Sequence, residues 1–245
     1  NADVCEIYTD VPGVFTTDPN ICSRARKLDK IAYDEMLEMA SMGAKVLQIR
    51  SVEFAKKFNV DVLVRSTFTD EPGTLVTKED KMEAVLVSGI AYDKDQARVT
   101  LVHVEDRPGV SAAIFGSIAE KKILVDMIVQ NPSKDGTTDL TFTVPRADLD
   151  ATLRIIEGLK LEVPYEEVRH DKHVSKVSVI GVGMRSHSGV AAKAFQALAN
   201  DGVNILMIST SEIKVTCLIE EKYTELAVRT LHTAFELDSG NTAAS

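Results

Sequence analysis

No apolar run in this chain approaches the roughly 20 residues that a membrane-spanning helix requires, which excludes a helical span. Basic residues are in the minority. The 28 Lys and Arg stand against 37 Asp and Glu, for a formal net charge of -9. A general grip on nucleic acid takes clustered cations that neutralise phosphates, so that class of partner is excluded. Cysteine is scarce, odd in number and scattered, with three thiols at Cys5, Cys22 and Cys217. That pattern excludes a disulfide framework and a zinc cage, and it fits a reducing, cytoplasmic compartment. The five histidines are equally scattered and show no His-Glu-x-x-His spacing, so no metal site is expected.

What remains is ordinary globular composition. Of 245 residues, 44% are hydrophobic and 27% charged, enough for one large domain or two to three small ones. The chain begins Asn1-Ala2-Asp3, without Met and without a signal-peptide pattern. Residues 5–9 read as an interior strand already under way. The expectation is a fragment, or one half of a processed polypeptide.

Self-similarity organises the rest. One block runs from Val99 through Gly109, Phe115 and Ile123 to Met127 and Ile128, and a second from Val177 through Gly189, Phe195 and Val203 to Met207 and Ile208. From the glycine onward the offset is constant. Before it, a difference of two residues falls where a loop absorbs it. Each block opens with a strand (Val99, Leu101, Val102 and Val104; Val177, Val179 and Ile180), turns at its glycine, and continues with apolar residues at helical spacing. A second strand is expected over 123–129 and 203–208, and a third over 137–144 and 212–219. Closing helices are expected over 147–159 and 221–235. A final strand over 161–168 would complete the first block, and a spare strand over 84–91 is expected to join the second. The fold class is therefore α/β (α+β), with two ferredoxin-like βαββαβ units following a separate α/β lobe.

In that lobe, residues 8–19 run Tyr-Thr-Asp-Val-Pro-Gly-Val-Phe-Thr-Thr-Asp-Pro. Two readings fit: a plain turn between strands, or a nucleotide-edge loop whose aromatic and hydroxyls meet base, ribose or phosphate. A helix over 33–43 follows, stopped by Gly43, with Asp34 and Glu35 suiting its dipole and its Met residues on an apolar face. Ser51 is expected to cap a short helix reaching Phe58. Residues 60–64 read as a strand, 71–76 close the lobe, and 77–82 form a charged linker. In the repeat, a strand-glycine-helix turn aims backbone N–H groups and a positive dipole end at one point, which suits a carboxylate. Asp106, Asp126 and Gln130 can complete a set for a zwitterion, or Asp106 can cap the helix. His187 reads as a loop residue rather than a catalytic one.

Several strings carry a resemblance to the aspartate kinases. Asp106-Arg107-Pro108-Gly109, Asp126-Met127-Ile128-Val129-Gln130-Asn131 and residues 135–143 resemble their first ACT domain. Residues 183–190, Asn204-Ile205 and 208–213 resemble the second, and residues 8–19 resemble the nucleotide-binding segment of their amino-acid kinase domain. The resemblance implies a nucleotide site at Thr9, Asp10, Phe15, Thr16, Thr17, Asp18, Pro19, Asn20 and Lys45. It also implies an effector site for lysine and/or threonine. Asp106, Gly109, Ser111, Leu124, Val125, Asp126 and Gln130 would come from the first module, and Met184, Ser186, His187, Asn204, Ile205 and Ser211 from the second. Three positions depart from the family's usual residues: Asn20 replaces an arginine, Ser111 an alanine and Ser188 a proline.

The implied domains are a kinase-domain remnant over 1–80, a first ACT domain over 92–170, a second over 82–91 with 171–238, and a disordered tail over 239–245. The family's Lys-Phe-Gly-Gly-type loop and the Gly-rich segment after it are not in this sequence. Phosphoryl transfer rests on positioning and electrostatics, so the chain alone is expected to be catalytically silent, with no cofactor of its own. Mg-ATP would be a substrate of the intact enzyme. A homodimer through the ACT domains is expected, or a hetero-oligomer with a full-length catalytic chain. The rival readings are a purely regulatory subunit and a different amino-acid kinase with ACT modules.

Overall fold

The computed structural model describes residues 4–44, 46–78, 86–133 and 135–239. Its elements in chain order are β1 (Val4–Thr9), β2 (Lys30–Ala32), α1 (Tyr33–Ser41), α2 (Ile49–Phe58), β3 (Asp61–Ser66), β4 (Thr74–Thr77), β5 (Gly89–Glu105) and α3 (Val110–Glu120). There follow β6 (Ile128–Pro132), β7 (Thr137–Val144), α4 (Leu149–Gly158), β8 (Glu167–Ile180), α5 (Val190–Asn200), β9 (Ile205–Thr210), β10 (Lys214–Glu220) and α6 (Thr224–Ala234). Short 3-10 turns at Arg146–Asp148 and Glu221–Tyr223 lead into α4 and α6. The chain divides into two compact units, Asn1–Asp93 with Lys176–Ser245, and Lys94–Ser175.

The first unit contains the N-terminal lobe. Its sheet runs β1-β3-β4-β2. The pairs β1–β3 and β2–β4 are parallel, and β3–β4 is antiparallel. Strand β3 buries Val62, Val64 and Ser66 and leaves the residues between them half-buried, the period-two pattern of a strand with a core on one face. Helix α1 buries Tyr33, Met36 and Met39, spaced three apart, so its methionines are core. Gly43 follows with φ +92°, in the left-handed region that ends helices. Burial and the neighbouring Asp61 carboxylate push the Tyr33 phenol up to about 12, so it is a neutral donor to the Val60 carbonyl.

Glu35 is wholly buried in the first turn of α1. Its Oε2 accepts the Ala32 N–H at 3.0 Å. Its Oε1 accepts the Ser88 hydroxyl at 2.5 Å and the Val182 N–H at 2.9 Å. A buried carboxylate is tolerated only with such partners, and the helix dipole adds to them. Lys214 on β10 meets Glu38 on the same helix at 2.7 Å. Ile213 packs with Ala32 and Val182. The lobe and the second repeat block are thus bonded through α1.

That block supplies the rest of the first unit. Strands β9 and β10 are antiparallel, Ile208 opposite Cys217. Helices α5 and α6 bury Val190, Ala194 and Leu198, and Ala227, Val228 and Leu231, over Val177, Val179, Cys217 and Ile219. Val87 and Ile90 join that cluster, and the Ser88 N–H donates to the Ile180 carbonyl at 2.8 Å.

In the second unit β7 lies between β6 and β5, antiparallel to both, with Leu140 opposite Leu101 and Phe142 opposite Val99. Ile114 and Ile118 of α3 and Ile156 of α4 close the core, and the Phe115 ring stands edge-on to Phe142 at 5.3 Å.

The structure corrects several element boundaries. Of the spare strand expected over 84–91, only 89–91 are strand, and they open β5, which runs on as the first block's opening strand; 84 and 85 lie outside the described residues. The strand expected over 161–168 starts only at Glu167 and runs on as the second block's opening strand, β8. Each long strand begins in one unit and ends in the other, and neither Gly nor Pro interrupts either run after its first residue. In the first block the second strand starts at Ile128, leaving 124–127 irregular. Ser51 lies inside α2, whose N-terminal cap is Gln48. Of the linker expected over 77–82, Thr77 belongs to β4 and 79–82 lie outside the described residues. So do 240–245 of the expected tail, while Ser239 forms a turn bonded to the Glu236 carbonyl.

Candidate functional site

A cavity of about 410 Å³ opens in the first unit. One wall is the segment after β1, with Asp10, Phe15, Thr17, Asp18, Pro19 and Asn20 among its lining. A second wall is Met39 of α1 with Gly43, Ala44 and Val46 behind it, and a third is Ile90, Ala91 and Tyr92 of β5. The mix of apolar surface and a few convergent polar groups is that of a small-molecule site. Thr17 is one of the lining residues. It is 5% exposed, and its hydroxyl has no hydrogen-bond partner among the described residues. A buried unpaired hydroxyl costs about 1–3 kcal/mol.

The loop carrying Thr17 is tightly held. The Thr16 N–H donates to the Arg26 carbonyl, and the Thr16 hydroxyl oxygen accepts the Arg26 N–H at 3.0 Å. The Ile90 N–H donates to the Thr16 carbonyl at 2.7 Å. Thr16 does not face the cavity. Its hydroxyl pairs with Nε2 of His232 at 2.9 Å, and burial pushes that imidazole below its ordinary range. Asp18 accepts the Asn20 N–H on one oxygen and the Tyr92 hydroxyl, at 2.9 Å, on the other. Burial and that carboxylate push the Tyr92 phenol up to about 12, so it stays a donor. Thr9 ends β1 with its hydroxyl on Asp10, and its carbonyl accepts from Thr67. Lys45 lies outside the described residues.

The repeat's glycines share one geometry. Gly109 and Gly189 stand before α3 and α5 at φ +97° and +98°. No side chain caps α3, so Asp106 does not play the capping role; its N–H donates to the Gly136 carbonyl, and its side chain is exposed. Ser111 donates to Gln130 Oε1 at 3.3 Å, which brings those two together beside the helix start. Leu124 is 76% exposed, Val125 half-buried, and Asp126 bonds through its N–H to the Thr143 carbonyl. In the second block His187 folds back: its Nδ1 lies 2.9 Å from the Gly183 carbonyl and 3.1 Å from the Ser186 hydroxyl. Those are loop-closing bonds. Met184 and Ile205 pack against the block's core, Asn204 is exposed, and Ser211 accepts the Ile213 N–H.

Comparison with known proteins gives these features a family. The amino acid kinase family matches residues 1–66, and the ACT domain matches 98–160 and again 177–235. A crystal structure of aspartokinase alpha and beta subunits holds a chain 54% identical, with a TM-score of 0.58; the match covers 61% of this chain and 99% of that one. This chain belongs to the aspartate kinase family.

An aspartate kinase of Stutzerimonas stutzeri (strain A1501) is 55% identical over 246 residues, spanning 99% of this chain and 60% of that protein. The chain thus spans three-fifths of that relative's length. E. coli aspartokinase III, solved in complex with aspartate and ADP, is 29% identical with a TM-score of 0.79 over 95% of this chain and 52% of that one. Solved in complex with lysine and aspartate, it is 28% identical with a TM-score of 0.76 over 96% and 52%.

For this member of the family, the sequence named Asp10, Phe15 and Thr17–Asn20 from one contiguous string. It did not name Met39, Gly43 or Tyr92. Their only signal is proximity in the fold: Tyr92 is 74 residues from its partner Asp18.

Proposed function

We propose that this chain is the regulatory part, and the nucleotide edge, of an enzyme that phosphorylates L-aspartate with Mg-ATP to give 4-phospho-L-aspartate and ADP. In that reaction the side-chain carboxylate of aspartate attacks the γ-phosphorus, and the bond to the β,γ-bridging oxygen breaks. The cavity walled by Phe15, Thr17 and Asn20 takes the nucleotide. The cavity carries this reading, because Phe15, Thr17, Asp18 and Asn20 of one loop line it beside Tyr92. The ACT modules take lysine or threonine as feedback inhibitors of the route that begins with this step. Asp106, Ser111 and Gln130 serve the first module, and Asn204, Ile205 and Ser211 the second. The lysine complex of the E. coli relative supports that choice of ligand. We place the protein in the cytoplasm, in keeping with free thiols at Cys5, Cys22 and Cys217. No helix among the described residues is long and apolar enough to cross a membrane.

Calorimetric titration of the chain with lysine, threonine and Mg-ADP tests this. Binding between micromolar and millimolar is expected for at least one amino acid and for ADP. Silence toward both amino acids removes the sensor role, and silence toward ADP removes the nucleotide role. The chain alone should not phosphorylate aspartate in a coupled assay.

A second reading has its own support. The match to the alpha and beta aspartokinase structure covers 99% of a chain that is short beside this one. A non-catalytic subunit of that kind would associate with a full-length catalytic chain. Co-purification of the two, with a stoichiometric complex by light scattering, would favour it.

A further inference from the structure

The loop that fronts the cavity is anchored from outside the kinase lobe, by three groups of the second ACT module and its approaching strand. The Ile90 N–H holds the Thr16 carbonyl, the Tyr92 hydroxyl holds Asp18, and His232 on α6 holds the Thr16 hydroxyl. Two contacts make this an intimate fit. A Cβ on Gly89 would lie 2.6 Å from the Thr16 carbonyl oxygen, so only glycine lets β5 come this close to the loop. Around His232, Arg24 reaches Thr233 at 2.6 Å and Asp238 at 3.3 Å, tying α6 to the segment that returns from the loop. Thr16 and Thr17 are neighbours with opposite duties. The Thr16 hydroxyl pairs with His232, and Thr17 lines the cavity. Fixing the first fixes the direction of the second.

We propose that Tyr92 and His232 are positioning residues for the nucleotide. They hold residues 15–20 so that Phe15, Thr17 and Asn20 line the ligand's place before it arrives. The inference rests on the nucleotide reading of the cavity and goes beyond it. It makes the second ACT module a structural part of the nucleotide site, not only a sensor attached to it. Preorganisation of this kind stabilises a complex by sparing the loop's ordering cost on binding.

The test uses the 245-residue chain and three variants, Tyr92→Phe, His232→Leu and His232→Gln, with Mg-ADP as the probe. Affinity is read by calorimetry and folding by thermal unfolding. Loss of one net hydrogen bond corresponds to a weakening of about three- to tenfold. Tyr92→Phe and His232→Leu should each weaken ADP by that factor. His232→Gln, whose amide can still reach the Thr16 hydroxyl, should recover most of it. A purely structural role would lower the unfolding temperature while leaving ADP affinity unchanged at temperatures where every variant is folded. That result overturns the proposal, as does equal ADP affinity in all four proteins. If the unaltered chain binds no ADP, the nucleotide reading falls and this inference with it. Tyr92→Phe keeps the ring and its packing, so the test stands even if His232→Leu fails to fold.

Discussion

At the scale of single residues, Glu35 and His232 show how a buried polar group fixes its surroundings. The Glu35 carboxylate accepts from its neighbour Ala32 and from Ser88 and Val182, two donors far away in the chain. In Glu35→Gln one acceptor oxygen becomes an NH₂ that faces another donor. Chemical unfolding should show a loss of about 1–3 kcal/mol. A change well under that range would mean that the three bonds contribute little. His232 makes a pH prediction with a definite sign. Burial holds its folded pKa below the ordinary value of about 6.5, so the unfolded chain binds more protons as pH drops through 6.5. Its contribution to stability is therefore intact above 6.5 and is lost as pH falls toward the folded pKa. Relative to His232→Gln, the unaltered protein should lose stability between pH 7 and 5, followed by urea midpoints. A flat difference would show that this histidine does not titrate on unfolding. The exposed His103 beside Glu166 shifts the opposite way, which is why the comparison must be with the variant. Cys217 lies at the inert end of this range, its thiol pushed up to about 12 by burial.

At the scale of elements, glycine separates backbone strain from packing. An added Cβ meets nothing within 4 Å at Gly109, at Gly189 or at Gly116 in the middle of α3. The first two hold φ near +97° and +98°, where an L side chain costs about 1–2 kcal/mol. Gly109→Ala and Gly189→Ala should lose that much, and by similar amounts, because the two turns have one geometry. Gly116→Ala should instead gain about 0.5–1 kcal/mol from reduced freedom of the unfolded chain. Parallel thermal unfolding of the three variants checks both signs. Much of this was legible in advance, since a constant offset from Gly109/Gly189 to Ile128/Ile208 marks one supersecondary unit used twice. The long strands were not legible. Period and composition show that 84–91 and 99–104 both favour strand, but not that the chain passes from one to the other without a turn.

At the scale of the whole molecule, binding at the cavity proposed for the nucleotide and at the ACT modules must be linked reciprocally if either affects the other. The factor by which lysine or threonine changes the ADP dissociation constant should equal the factor by which ADP changes that of the amino acid. Titrations in both orders measure it, and unequal factors would show that the ligands compete or that a further species is present. The bonds among α1, the Val182 turn and Lys214 offer material for such coupling, since Met39 on the same helix lines the cavity.

The amino-acid order alone settled the repeat, the glycine turns and the core faces of α1. These follow from periodicity and backbone sterics, which act over a few residues. Only the tertiary structure decided that Thr16 turns away to His232, that Tyr92 reaches Asp18, and that Glu35 accepts from Ser88 and Val182. Each of these depends on groups far apart in the chain meeting within 3 Å, and no local pattern encodes such a meeting.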